Sequence, residues 1–144
     1  MGSYVTSGAL IPSYVEERDA VQLTNDDVDG TTVVESVVED AIADAEAEVD
    51  GYLGARYALP LVTVPRLVKR LVLRLSRYHL YSRRRGAVEE WMAQDYEKAL
   101  KMLQDISKGI VTLGVQPEPG VNSERVVRST ARDPIFGRSR LEDF

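Results

Sequence analysis

The chain has 144 residues, no cysteine and a single histidine, with a net charge of −5 and 44% hydrophobic residues. That length and balance suit one globular domain with some chain to spare, and they exclude collagen-like and wholly disordered classes. Zero cysteine excludes a disulfide scaffold, a thiolate zinc site and a cysteine nucleophile, and one histidine excludes any catalytic or metal design that needs two.

Short helices are expected over Ser7 to Leu23, with Pro12 tolerable in a first helical turn. Asn25-Asp26-Asp27-Val28-Asp29-Gly30 is a loop by composition. Thr31 or Thr32 then caps a long helix, with Glu35 three residues after Thr32 in capping-box position. Its apolar face is Val34, Val37, Val38, Ala41, Ile42, Ala45, Val49 and Tyr52 or Leu53, at intervals of three and four. Glu35, Glu39, Asp40, Asp44, Glu46, Glu48 and Asp50 fall mainly on the other sides. Leu59 to Pro65 reads as an extended linker, and Pro65 suits the first turn of the next helix. That helix runs from about Arg66 to Arg83, burying Leu67, Val68, Leu71, Val72, Leu75, Tyr78 and His79. A last helix runs from about Val88 to Ser107 on Trp91 or Met92, Tyr96, Ala99, Leu100, Leu103 and Ile106, and Gly109 caps it. The expected fold is an all-α bundle with two to three long helices and short N-terminal ones. Its domain covers 1–108, and 109–144 forms an extended C-terminal arm too poor in apolar groups to pack a core of its own.

No apolar run approaches ~18 residues, so no span of a membrane is expected. Met1 to Leu10 lacks the basic-then-apolar pattern of a secretion signal. Charge is sorted along the chain. Acids dominate 1–64 and 86–120, whereas 65–85 holds no acid and eight bases: Arg66, Lys69, Arg70, Arg74, Arg77, Arg83, Arg84 and Arg85. Such asymmetry reports on partners, or on an acidic helix lying beside a basic one.

The candidate chemistry is thin. Asn25, Asp27, Asp29 and Gly30 match the first half of a calcium loop, but position twelve is Ser36 instead of a bidentate Glu. A capped surface loop is the better reading, and no metal or other cofactor is expected. His79 lacks a nucleophile partner and reads as structural. The carboxylate pairs of the acidic helix lack the Glu-x-x-His motifs of di-iron bundles. No enzyme is expected. Arg70, Arg74 and Arg77 share one stripe opposite the core and suit pairing with an acidic surface, with Glu39, Asp40 and Asp44 as candidate partners across a subunit boundary. The alternative is a small DNA-binding protein using the basic helix 65–85, whose charges could neutralise several phosphates. In the arm, Arg132, Pro134, Ile135, Phe136, Arg138, Leu141 and Phe144 have the composition of a docking peptide, aromatic anchors among arginines.

Several strings carry a resemblance. They are Val21-Gln22-Leu23-Thr24-Asn25 with the acidic loop, Ala41 through Leu53, Arg56-Tyr57-Ala58-Leu59-Pro60-Leu61 with Val64-Pro65, and Arg77-Tyr78-His79-Leu80-Tyr81. Over about Leu10 to Leu113 the chain resembles the small head–tail joining proteins of Mu-like bacteriophages and prophages, and the aromatic end of the arm fits more loosely. The resemblance implies a helical connector, made in the host cytoplasm and resident in the neck of the virion. It implies a homo-oligomeric ring, of twelve copies by analogy with portals, between the portal protein and a tail terminator or stopper protein. DNA would pass through the channel without sequence-specific binding, and no membrane would be involved. Heterologous contacts between identical subunits suit a chain with one acidic and one basic flank.

Overall fold

The computed structural model describes residues 4–116. It contains five helices: α1 (Ser7–Leu10), α2 (Glu17–Thr24), α3 (Glu35–Leu53), α4 (Arg66–Ser82) and α5 (Glu90–Ser107). No strand occurs among the described residues, so the expected all-α bundle is what the chain forms. The central pair is α3 and α4, which pack most extensively on each other and each touch α1, α2 and α5.

The three- and four-residue spacing of the apolar positions explains the packing. Val38, Ile42, Ala45, Val49 and Leu53 of α3 share one core with Val68, Leu71, Val72 and Leu75 of α4 and with Ala99, Leu103 and Ile106 of α5. Each fully buried Val, Leu or Ile contributes about 1.5–3 kcal/mol relative to exposure. The α4 helix buries more than one stripe. Leu73, Ser76 and Leu80 are buried as well, because helices cover it on several sides. Ser76 satisfies its hydroxyl by donating to the Val72 carbonyl at 2.8 Å.

The helix boundaries depart from expectation where tertiary contacts replace local signals. No capping box forms at Thr31 or Thr32. The residue before α3 is Val34, in extended conformation and without a side-chain cap. Its N–H donates instead to the Thr24 hydroxyl at 3.0 Å, so the last residue of α2 satisfies the entry to α3. The Asn25 side chain braces the same turn by donating to the carbonyls of Val21 (3.0 Å) and Thr32 (2.5 Å). Pro65 precedes α4 as its N-cap residue and lies outside the first turn. The α5 helix starts at Glu90, two residues later than expected, after an extended Glu89.

At its other end α5 closes as its sequence predicts. Gly109 has φ of 76° and donates to the Ile106 carbonyl, and Ile110 donates to that of Asp105, the paired bonds of a Schellman cap. The chain then continues to residue 116 without regular structure. Val111, Leu113 and Val115 pack against the core, and the Leu113 N–H donates to the Tyr57 hydroxyl at 3.2 Å.

Candidate functional site

Seven of the eight bases of 65–85 fall into three groups, and Arg85 is exposed beyond them. The first is Arg66, Lys69 and Arg70, exposed on the opening turns of α4. That first turn contains no acid, although a helix N-terminus favours negative charge.

The second group faces α5. Arg77 donates to Asp95 Oδ2 at 2.6 Å, and Arg74 lies 3.7 Å from Asp95 Oδ1. The guanidinium of Arg77 also sits over the rings of Trp91 (4.8 Å to the centroid) and Tyr14 (5.9 Å). Its side chain is only 13% exposed. The expectation that Arg70, Arg74 and Arg77 form one stripe opposite the core therefore fails at Arg77. A wheel with one buried face does not describe a helix that neighbours cover on several sides. Trp91, half-exposed, and Lys98 complete a shallow recess of about 420 Å³ around these groups. Of the two candidates for the start of the α5 core face, Met92 is the buried one.

The third group closes the acidic loop. Arg83 donates to the Leu23 carbonyl at 2.6 Å. Arg84 donates to the Asn25 carbonyl and lies 3.3 Å from Asp26 Oδ1. These arginines supply the positive charge at the loop that had the outline of half a calcium site. Among the described residues no group of three or more His, Cys, Asp or Glu could hold a metal ion.

The acids of α3 also divide. Asp40 and Asp44 are exposed one turn apart, and Glu39 is half-buried. Among the described residues Arg74 and Arg77 pair with Asp95, and neither Asp40 nor Asp44 is joined to them. Glu46, expected among solvated acids, is buried. Its Oε1 accepts the N–H groups of Tyr4 (2.7 Å) and Val5 (3.2 Å). The Tyr4 hydroxyl donates to Asp50 Oδ1 at 2.5 Å, so two acids of α3 clasp the segment that precedes α1. Burial, with the neighbouring Asp50, pushes the Tyr4 phenol up to about 12.

His79 belongs to an inter-helix polar cluster. Its Nε2 lies 3.1 Å from Glu48 Oε2, while the Tyr96 hydroxyl donates to Glu48 Oε1 at 2.9 Å. Tyr78 and Tyr96 stack with centroids 4.0 Å apart. The cluster ties α3, α4 and α5 together through one carboxylate. Burial and the Glu48 hydrogen bond push the Tyr96 phenol up to about 12. Tyr81 donates to Asp19 Oδ2 at 2.8 Å, and burial with that bond raises its phenol further still. None of these pairings carried a signal in the sequence, because their partners lie far apart along the chain.

The expected docking residues Arg132, Pro134, Ile135, Phe136, Arg138, Leu141 and Phe144 lie outside the described residues. No helix among the described residues is long and apolar enough to cross a membrane.

What the geometry offers is a folded bundle with exposed cations on the opening turns of α4 and exposed acids on the outward face of α3. A family model described as Bacteriophage Mu, Gp36 matches residues 4–130. The chain is similar to the Mu-like prophage FluMu protein gp36 of Haemophilus influenzae, 32% identical over 111 residues that cover 76% of this chain and 77% of that protein. It is also similar to gene product J of Escherichia phage Mu, 29% identical over 140 residues and 96% of each chain. The kinship with Mu-like phages and prophages expected from the sequence strings is thereby shown.

Proposed function

The chain belongs to the bacteriophage Mu Gp36 family, and on that premise we propose that it is a structural part of the phage particle, a head–tail connector in the neck. Copies form a ring, of twelve by analogy with portals, between the portal protein and a tail terminator or stopper protein. DNA passes through its channel without being read. The role involves no turnover and no cofactor. The observation that carries this reading is likeness to a phage Mu protein along nearly the whole of both chains. The small helical bundle with outward charge supports it.

In this role the charged positions Glu39, Asp40, Asp44 and Arg70 supply contacts between copies, while Arg74 and Arg77, expected among them, are engaged by Asp95 within the chain. Arg132, Pro134, Ile135, Phe136, Arg138, Leu141 and Phe144 anchor the arm on the portal or an adjacent ring. The alternative, DNA binding through 65–85 with Arg83, Arg84 and Arg85 foremost, loses two of those three arginines to the chain's own loop. That observation favours the connector.

The test is particle assembly in cells whose phage or prophage lacks the gene. Full-length protein is expected to restore tailed particles and to give density at the neck by electron microscopy. A chain ending at Gly120 is expected to keep its helical circular dichroism yet fail to join particles. Normal incorporation of the shortened chain removes the arm from the account. Particles whose necks lack the full-length protein remove the connector role.

A further inference from the structure

We propose that copies of this chain meet head to tail, with the opening of α4 in one copy seated on the outward face of α3 in the next. This interface deepens the ring reading and rests on it. Arg66, Lys69 and Arg70 are three and four residues apart, so they share one exposed face. They form no ion pair among the described residues. Immediately before them stand the exposed apolar groups Leu59 and Val62, the latter fully solvent-facing. This surface is therefore apolar at its tip and cationic along its flank.

The α3 face has the reciprocal make-up. Asp40 and Asp44 are exposed one turn apart, and Ala43 and Ala47, also exposed, share their side of the helix. Small residues between acids leave room for lysine and arginine stems to lie flat while their heads reach the carboxylates. The two surfaces stand on adjacent helices of one copy, yet among the described residues their charges do not pair. A second copy supplies a partner to each.

Because each copy carries one surface of each kind, the contact is heterologous and passes from copy to copy. Single exposed ion pairs contribute little. The cluster of three cations, two acids and an apolar tip is what gives the contact its register. Arg74 and Arg77 are not part of it, since Asp95 engages them within the chain.

The test uses full-length protein in two charge-reversed forms, K69E/R70E and D40K/D44K. At low salt the unaltered protein is expected to associate in sedimentation velocity, with association weakened by added salt. Each variant alone is expected to lose about tenfold or more in association constant, because like charges then face each other. An equimolar mixture of the two is expected to regain association, since every junction again pairs opposite signs. A zero-length carbodiimide link in a mixture of isotope-labelled and unlabelled protein is expected to join Lys69 of one copy to Asp40 or Asp44 of another. The interface is overturned if either variant alone associates like the unaltered protein, or if the mixture fails to recover while circular dichroism shows both forms folded. It is equally overturned if Lys69 links only to other carboxylates, or if duplex DNA binds and K69E/R70E abolishes that binding without any link between copies. Links between copies in solution, with no density at the particle neck, leave the interface standing and remove the neck role.

Discussion

Arg77 and Asp95 meet at 2.6 Å across the α4–α5 boundary while the same guanidinium covers the ring of Trp91. One side chain thus combines a charge-assisted hydrogen bond with a cation–π contact in a largely buried place, where both are stronger than in water. R77A is expected to lower stability by about 1–3 kcal/mol in urea denaturation followed by circular dichroism. R77K is expected to recover only part of the loss, because an ammonium does not reproduce the planar stack. The chain has a single tryptophan, so Trp91 emission reads the stack directly. An unchanged emission spectrum in R77A counts against it.

Three phenols have raised affinity for their protons. Tyr4 and Tyr96 are moved from 10.0 to about 12, and Tyr81 is moved in the same direction, each chiefly by burial and then by a carboxylate neighbour. Below pH 10 folded and unfolded chains both hold these protons, and the contribution to stability is whole. Between pH 10 and about 12 the unfolded chain releases protons that the folded chain retains, so stability falls as pH rises. Alkaline denaturation is expected within that window. Replacing the three tyrosines by phenylalanine is expected to flatten the dependence, as measured by denaturant midpoints at stepped pH.

The Glu46 clasp is tested by comparing two substitutions. E46A leaves the Tyr4 and Val5 N–H groups without their acceptor and is expected to cost about 1–3 kcal/mol. E46Q keeps an acceptor oxygen and is expected to cost less. Amide exchange at Tyr4 and Val5 is expected to speed up in E46A relative to the unaltered protein.

Two glycines give opposite expectations. At Gly109 the φ of 76° disfavours any side chain, and an added Cβ would meet the Arg56 guanidinium. G109A is expected to destabilise by roughly 1–2 kcal/mol, from loss of the left-handed cap plus the clash. Gly51 lies within α3 with open space around it. G51A is expected to stabilise by about 0.5–1 kcal/mol through helix propensity. Thermal melts of both variants check the signs.

The long helices were legible because burial imposes a period. Val38, Ile42, Ala45 and Val49 could be read as core from spacing alone, and Gly109 could be read as a cap from its position after that pattern ends. The polar architecture was not legible in the same way. Glu46 sits among six other acids of its segment and looks like them until the chain folds Tyr4 against it, 42 residues away. Arg83 and Arg84 look like the strongest part of a basic run until tertiary structure aims them at carbonyls some 60 residues earlier. Side chains of one charge type are locally interchangeable, and only the packed bundle distinguishes an outward Arg70 from an inward Arg77. The kinship with Mu-like phages was carried by strings such as Arg56 to Leu61, where Tyr57 is buried and Leu59 exposed.

The α3–α4 pair touches every other helix of the bundle, and the two outward faces proposed to join neighbouring copies both stand on it. Were copies joined through these faces, the tilt from one protomer to the next would follow the α3–α4 crossing, and so would the copy number of a closed assembly.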